Sequence, residues 1–213
     1  MPHRNVLREL AADTSYHCYN RGVERRDIFM DAQDYRVFLT RLKLMLSDPE
    51  SLKNDKAPER VRIKSFFGRI ELHAYCLMPN HFHLLLHQVS DDSMVEFMRT
   101  LSTSYTMYFN KKYERVGSLF QGRYKARRVD NAAYATHISR YIHLNALSMP
   151  GGYERYEYSS MQFLKEPYIA PSWFDPSRLL DDFGGSYDTY RKFVEEYASL
   201  DEFEYLEDRF DLA

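Results

Sequence analysis

Apolar residues recur along this chain with two periods, one near two and one near three and a half. Alternation over Tyr16–Asn20 predicts a first strand, stopped at Arg21-Gly22 where glycine permits a turn. Asp31 then caps a helix of about four turns whose apolar stripe is Tyr35, Phe38, Leu39, Leu42 and Leu46. The polar stretch from Ser47 to Pro58 reads as a surface loop. Two strands, 61–78 and 81–87, flank the turn residues Pro79-Asn80. Helical spacing returns after Asp91-Asp92-Ser93, at Met94, Phe97, Met98, Leu101, Tyr105, Tyr108 and Phe109. Asp130 or Asn131 caps a third helix, with Tyr134, Ile138, Tyr141 and Asn145 near one stripe, and Pro150-Gly151-Gly152 halts it. A last amphipathic segment, 187–200, follows Gly184-Gly185. Helices packed on an antiparallel sheet make the expected class α+β, which hosts many functions.

At 213 residues the chain can bury one proper core. The reading is a catalytic domain over 1–165 and an acidic, partly helical tail over 166–213. No apolar run approaches the roughly 20 residues that span a bilayer, and the first residues lack the apolar core of a secretory signal, so a cytoplasmic location is expected. Cys18 and Cys76 lie in apolar stretches without CxxC spacing, which suits buried free thiols.

A net charge of −2 conceals a strong asymmetry. Residues 166–213 carry thirteen acidic and four basic side chains, a balance of −9, which leaves +7 on residues 1–165. Basic residues cluster at Lys111, Lys112, Arg115, Arg123, Lys125, Arg127 and Arg128, interleaved with Tyr113, Phe120 and Tyr124. Such a patch suits a phosphate backbone with unstacked bases, although a solvated basic surface has the same composition. The acidic tail reads as a solvated helical appendage in preference to a flap over the basic groove.

The candidate chemistry begins with His81 and His83. On a strand they share a face with Leu85 and His87, while Phe82, Leu84 and Leu86 point the other way, so two imidazoles could meet one metal ion. Imidazole suits zinc, manganese, nickel and iron, whereas magnesium normally prefers oxygen. A lone HxH fits structural histidines as well. On the third helix, Tyr141 and Asn145 are one turn apart on the same face, so Asn145 could add an oxygen ligand beside a tyrosine. A free phenol titrates near about 10 and is a weak nucleophile at neutral pH, so a cation polarising a phosphodiester would have to compensate. A phosphotyrosine ester conserves the energy of the broken bond, and strand transfer then needs no ATP.

His81-Phe82-His83 within Leu77–Leu86, then Phe120-Gln121-Gly122-Arg123-Tyr124-Lys125, then Tyr141-Ile142-His143-Leu144-Asn145 resemble the REP-associated tyrosine transposases. These are domesticated relatives of the single-tyrosine HUH transposases. Tyr16–Gly22 and Tyr158-Ser159-Ser160 extend the resemblance over roughly residues 14 to 165. It implies a ferredoxin-like αβ sandwich in which His81, His83 and Asn145 bind Mg2+ or Mn2+. It also implies that Tyr141 attacks single-stranded DNA beside a hairpin or palindrome, keeping the 5′ phosphate and releasing a 3′ hydroxyl. Asn20, Arg21, Gln121, Arg123, Tyr124, Lys125, Arg127 and Arg128 are the expected DNA contacts. The chain departs from the family pattern at Ala146, commonly proline, and at Tyr158, usually tryptophan. A hairpin-binding module without catalysis and an endonuclease of the replication-initiator or relaxase type remain alternatives. Monomer and homodimer are both compatible with the sequence.

Overall fold

The computed structural model describes residues 10–54, 63–90 and 93–199. The chain runs β1 (Thr14–Arg21), α1 (Ala32–Leu46), β2 (Ile70–Met78), β3 (His81–Gln88), α2 (Ser93–Lys112) and β4 (Lys125–Val129). All three strand pairs are antiparallel, in the order β2-β3-β1-β4. That is the split βαβ arrangement of a ferredoxin-like sheet. Then come α3 (Ala132–Leu144), α4 (Gly152–Arg155), α5 (Met161–Lys165), α6 (Ser177–Leu180) and α7 (Tyr187–Glu195). The α+β class expected from periodicity is the class observed.

Alternation along the strands sends two sets of side chains to two cores. Tyr16, Cys18, Leu72, Phe82, Leu84 and Leu86 meet Phe38 and Leu42 of α1 and Met94, Phe97 and Leu101 of α2. Each such side chain, fully buried, contributes about 1.5–3 kcal/mol, so this face anchors the sheet. Asp31 caps α1 by accepting from the Gln33 and Asp34 amides. Asp34 itself is wholly buried and accepts from Met30 N, Tyr108 Oη, Tyr113 Oη and Lys112 Nζ, each at 2.8 Å, which ties α1 to the end of α2.

On the other face, Ala74, Cys76, Met78 and Leu85 carry α3 through Ile138, Tyr141 and Ile142. Asn131 is the N-cap, its side chain accepting from Tyr134 N. The described part of the tail does not hang free as an appendage. Leu179, Leu180, Tyr190 and Val194 are buried in the same core as α3 and the strand residues beneath it. A buried relay joins the layers: Ser160 Oγ lies 2.8 Å from His143 Nε2, His143 Nδ1 lies 2.6 Å from Tyr190 Oη, and Tyr190 donates to Ser139 Oγ at 3.1 Å. Arg140, 1% exposed, lies between the rings of Phe193 and Tyr197 at 4.0 and 3.9 Å and donates to Phe193 O.

Several boundaries differ from the periodic reading. β2 starts at Ile70, because the amides of Arg69 and Ile70 both turn back to Phe66 O around Gly68, whose φ is +70°. Residues 61–62, 91–92 and 200 of the expected elements lie outside the described residues, as do residues 55–58 of the 47–58 loop, which follow a turn at Ser51–Asn54. Gly22 has φ −59°, so it is not needed for a left-handed turn; a Cβ there would sit 2.2 Å from Arg26 O. α3 stops at Leu144, ahead of Pro150-Gly151-Gly152. Asn145 donates both N and Nδ2 to Tyr141 O, and the chain tightens into i to i+3 turns. Cys18 and Cys76 are buried thiols outside any disulfide. Among the described residues no helix is long and apolar enough to cross a membrane.

Candidate active site

β3 lies between β1 and β2, and its register sets His83 opposite Tyr19 on one side and Cys76 on the other. His83 is 1% exposed, whereas His81, at the strand's first position, is half-buried. The side chain of Asn80 orients His81. Its Nδ2 donates to Arg25 O at 3.3 Å, which turns Oδ1 toward His81 Nδ1 at 2.6 Å. His81 therefore carries a proton on Nδ1 and directs Nε2 at the Asn145 side chain.

α3 brings Tyr141 and Asn145 over these histidines. Asn145 Nδ2 donates to Tyr141 O at 2.8 Å, leaving Oδ1 to face His81 Nε2 at 3.3 Å. Two atoms that both offer lone pairs thus face each other, an arrangement that calls for a proton or a cation between them. Tyr141 is fully buried, its ring edge-on to His83 at 5.3 Å and to His17 at 5.8 Å.

His17, on β1, escaped the sequence reading. Its Nε2 is 2.8 Å from His83 Nδ1, and Tyr19 stacks on both rings at 4.9 and 5.6 Å. Burial, then the charge of Arg127, pushes His17 down to about 3. Burial also holds His83 well below the usual imidazole range, helped by His81, His17 and Arg21. Both rings are therefore neutral near pH 7, the form that ligates metals. The available signal was spacing, since His17 and Tyr19 share a strand face. Only the sheet order puts that face beside His83.

His83 Nε2 is buried without a hydrogen-bond partner among the described residues. With His81 Nε2 and Asn145 Oδ1 it makes a donor set of two neutral imidazoles and an amide, which fits a divalent transition ion. No three His, Cys, Asp or Glu side chains form a metal site among the described residues, so a third protein donor here would be the amide. The set carries no negative charge.

The expected DNA contacts separate into three groups. Lys125 and Arg127 lie on the α3 face of β4 beside this site, over the rings of Tyr19 and Tyr134 at 5.6 and 5.4 Å. Gln121 and Arg123 are exposed on the adjoining segment, and Arg21 is half-buried. Asn20 is used internally: Nδ2 donates to Gly122 O and Oδ1 accepts from Arg21 N, while Gln121 N donates to Arg21 O. This pairing, with a bridge between Gly22 and Phe120, fixes the basic segment to the end of β1. Tyr124 turns into the first core at 7% exposure, and alternation sends Arg128 to the opposite face, where it pairs with Asp130 at 3.2 Å. Lys112 is held by Asp31 and Asp34, so it is a structural cation.

Residues 61–145 match the family model described as transposase IS200 like, a segment that contains both strand histidines and ends on Asn145. A solved structure of a REP-associated tyrosine transposase bound to a REP hairpin superposes with a TM-score of 0.56 at 15% identity, covering 79% of this chain and 88% of that one. A comparison with curated proteins finds no match. At that identity the solved structure speaks for the fold, while the family match speaks for residues 61–145. Residues 61–145 are thus similar to the IS200-like transposases, and the fold is similar to that of a REP-associated tyrosine transposase.

Proposed function

We propose that this transposase-like protein cleaves and rejoins single-stranded DNA beside a hairpin, with Tyr141 as nucleophile. The observation that carries the reading is the convergence of Tyr141 and Asn145, from one helix, on His81 and His83, from one strand. His81, His83 and Asn145 would hold Mg2+ or Mn2+. When bound, the cation would withdraw charge from a nonbridging phosphate oxygen. The phenolic oxygen of Tyr141 forms a bond to phosphorus as it loses its proton, and the bond to the 3′ oxygen breaks as that oxygen gains one. The 5′ phosphate stays on Tyr141 until a second 3′ hydroxyl reverses the attack. Lys125 and Arg127 flank the site where a backbone would cross β4, and Gln121, Arg123 and Arg21 line its approach. The hairpin follows from the solved relative of the same fold, which holds one.

The burial of Tyr141 favours a second reading, in which the chain binds hairpins without cleaving them. Incubating wild type and Tyr141→Phe with Mn2+ and 5′- or 3′-labelled single-stranded hairpins, followed by a denaturing gel, separates the two. A label that migrates with wild type alone supports the nucleophile. Equal cleavage by Tyr141→Phe removes it, and hairpin binding without any adduct leaves the binding module.

A further inference from the structure

Neither the metal set nor the nucleophile uses His17, yet it is wholly buried against both. Its Nε2 shares a 2.8 Å hydrogen bond with His83 Nδ1. The two outer nitrogens of the pair, His17 Nδ1 and His83 Nε2, are buried and lack hydrogen-bond partners among the described residues. A neutral imidazole has one N–H and one lone pair, so the pair has two arrangements that differ only in proton position. In one, His17 Nε2–H donates and His83 carries its own proton on Nε2, which closes that atom to a cation. In the other, His83 Nδ1–H donates to His17, and His83 Nε2 presents a lone pair beside His81 and Asn145.

We infer that His17 is a positioning residue: as hydrogen-bond acceptor it holds His83 in the tautomer whose Nε2 faces the cation. The inference rests on the proposed metal reading of His81, His83 and Asn145. Tyr19 stacks on both rings at once, holding the two imidazoles within 23° of parallel and keeping the bond in line. Ligating histidines commonly donate their second nitrogen to a carboxylate or carbonyl, which also raises their basicity. A neutral imidazole acceptor does so less, and it can return the proton when the cation leaves. The site is therefore built to fix the orientation of His83 while letting the ion exchange.

The test uses the full chain without DNA, and the readout is Mn2+ affinity followed by the electron paramagnetic resonance signal of free Mn2+. His17→Phe keeps a ring and removes the acceptor, whereas His17→Gln keeps an acceptor oxygen. The expected result is a loss of about 10–100-fold in Mn2+ affinity for His17→Phe and a change of less than about threefold for His17→Gln. Equal affinity of wild type and His17→Phe overturns the role of His17 and leaves the metal site standing. A wild type that binds no Mn2+ overturns the metal reading and this inference together. Should His17→Phe fail to fold, 15N-histidine spectra of the wild type loaded with Mg2+ decide the matter: His17 protonated on Nδ1 supports the inference, and His17 protonated on Nε2 overturns it.

Discussion

Asn145 Oδ1 and His81 Nε2 face each other across 3.3 Å, and neither can turn away, because Tyr141 O holds the amide and Asn80 holds the ring. If Asn145 is the third ligand, as proposed, replacing it with alanine should weaken Mn2+ binding more than about tenfold, since the donor itself would be lost. Asn145→Asp should bind more tightly than wild type, because it adds a negative charge to a neutral donor set. Calorimetry that finds Asn145→Ala as tight as wild type would remove the amide from the site.

On the proposed reading, position on the sheet, not proximity in sequence, decides which cations would touch DNA. Lys125→Glu and Arg127→Glu should each reduce the salt slope of single-strand binding by about 0.7 or more. Arg128→Glu, one residue further, should leave the slope unchanged, because its side chain lies on the opposite face and pairs with Asp130. Fluorescence anisotropy over a salt series checks all three, and a slope lowered by Arg128→Glu would move the DNA path off the α3 face.

Gly22 marks the close crossing of the chain after β1, where an added Cβ would meet Arg26 O at 2.2 Å and Ile28 at 3.0 Å. Gly22→Ala should cost about 1–3 kcal/mol through forced backbone movement. Because Gly22 bridges Phe120, hairpin affinity should fall while Mn2+ affinity holds. Denaturation and binding measured on one preparation test both halves, and an unshifted melting curve would show that the crossing can relax.

Asp34 gives the fold a defined acid limit. Burial alone would raise its carboxyl, but Lys112, Met30 N, Tyr113 and Tyr108 outweigh burial and the carboxyl ends below its usual value. A lowered folded value means that the stabilisation is complete above the unfolded carboxylate range, near about pH 4, and is lost as pH falls through the folded value. Asp34→Asn should cost at least about 2 kcal/mol at neutral pH and flatten the acid limb of stability. Urea unfolding at neutral pH and at about pH 3 provides the comparison. An acid limb as steep as that of wild type would exclude Asp34 as its source.

Local spacing carried much of this architecture. His81 and His83 share a face through the strand period, and Tyr141 and Asn145 through the helix period, so each half of the site was visible by itself. Their convergence depends on α3 crossing β2 and β3, which no local pattern encodes; the resemblance supplied it. His17 was hidden because its relevance lies in the neighbour that sheet order gives β1. Tyr124 and Arg128 stand in the same basic and aromatic cluster as Lys125 and Arg127, and such a cluster read as a string has no faces. Once β4 is known to start at Lys125, alternation separates Arg127 from Arg128. The tail differs from its composition for a similar reason: acidic residues describe its outer surface, while Tyr190 and Val194 describe what it covers.

The sandwiching of Arg140 by Phe193 and Tyr197, together with the His143–Tyr190 bond, makes α3 a helix with two masters. Its inner side answers to the sheet and its outer side to α7. A chimera that imports α3 from a relative would bring an outer surface shaped for a foreign cover, so the transplantable unit is the block from Asn131 through residue 199. Divergence in this protein is constrained in the same way: a change at Tyr190 on α7 reaches the helix that carries Tyr141 through its bonds to Ser139 and His143.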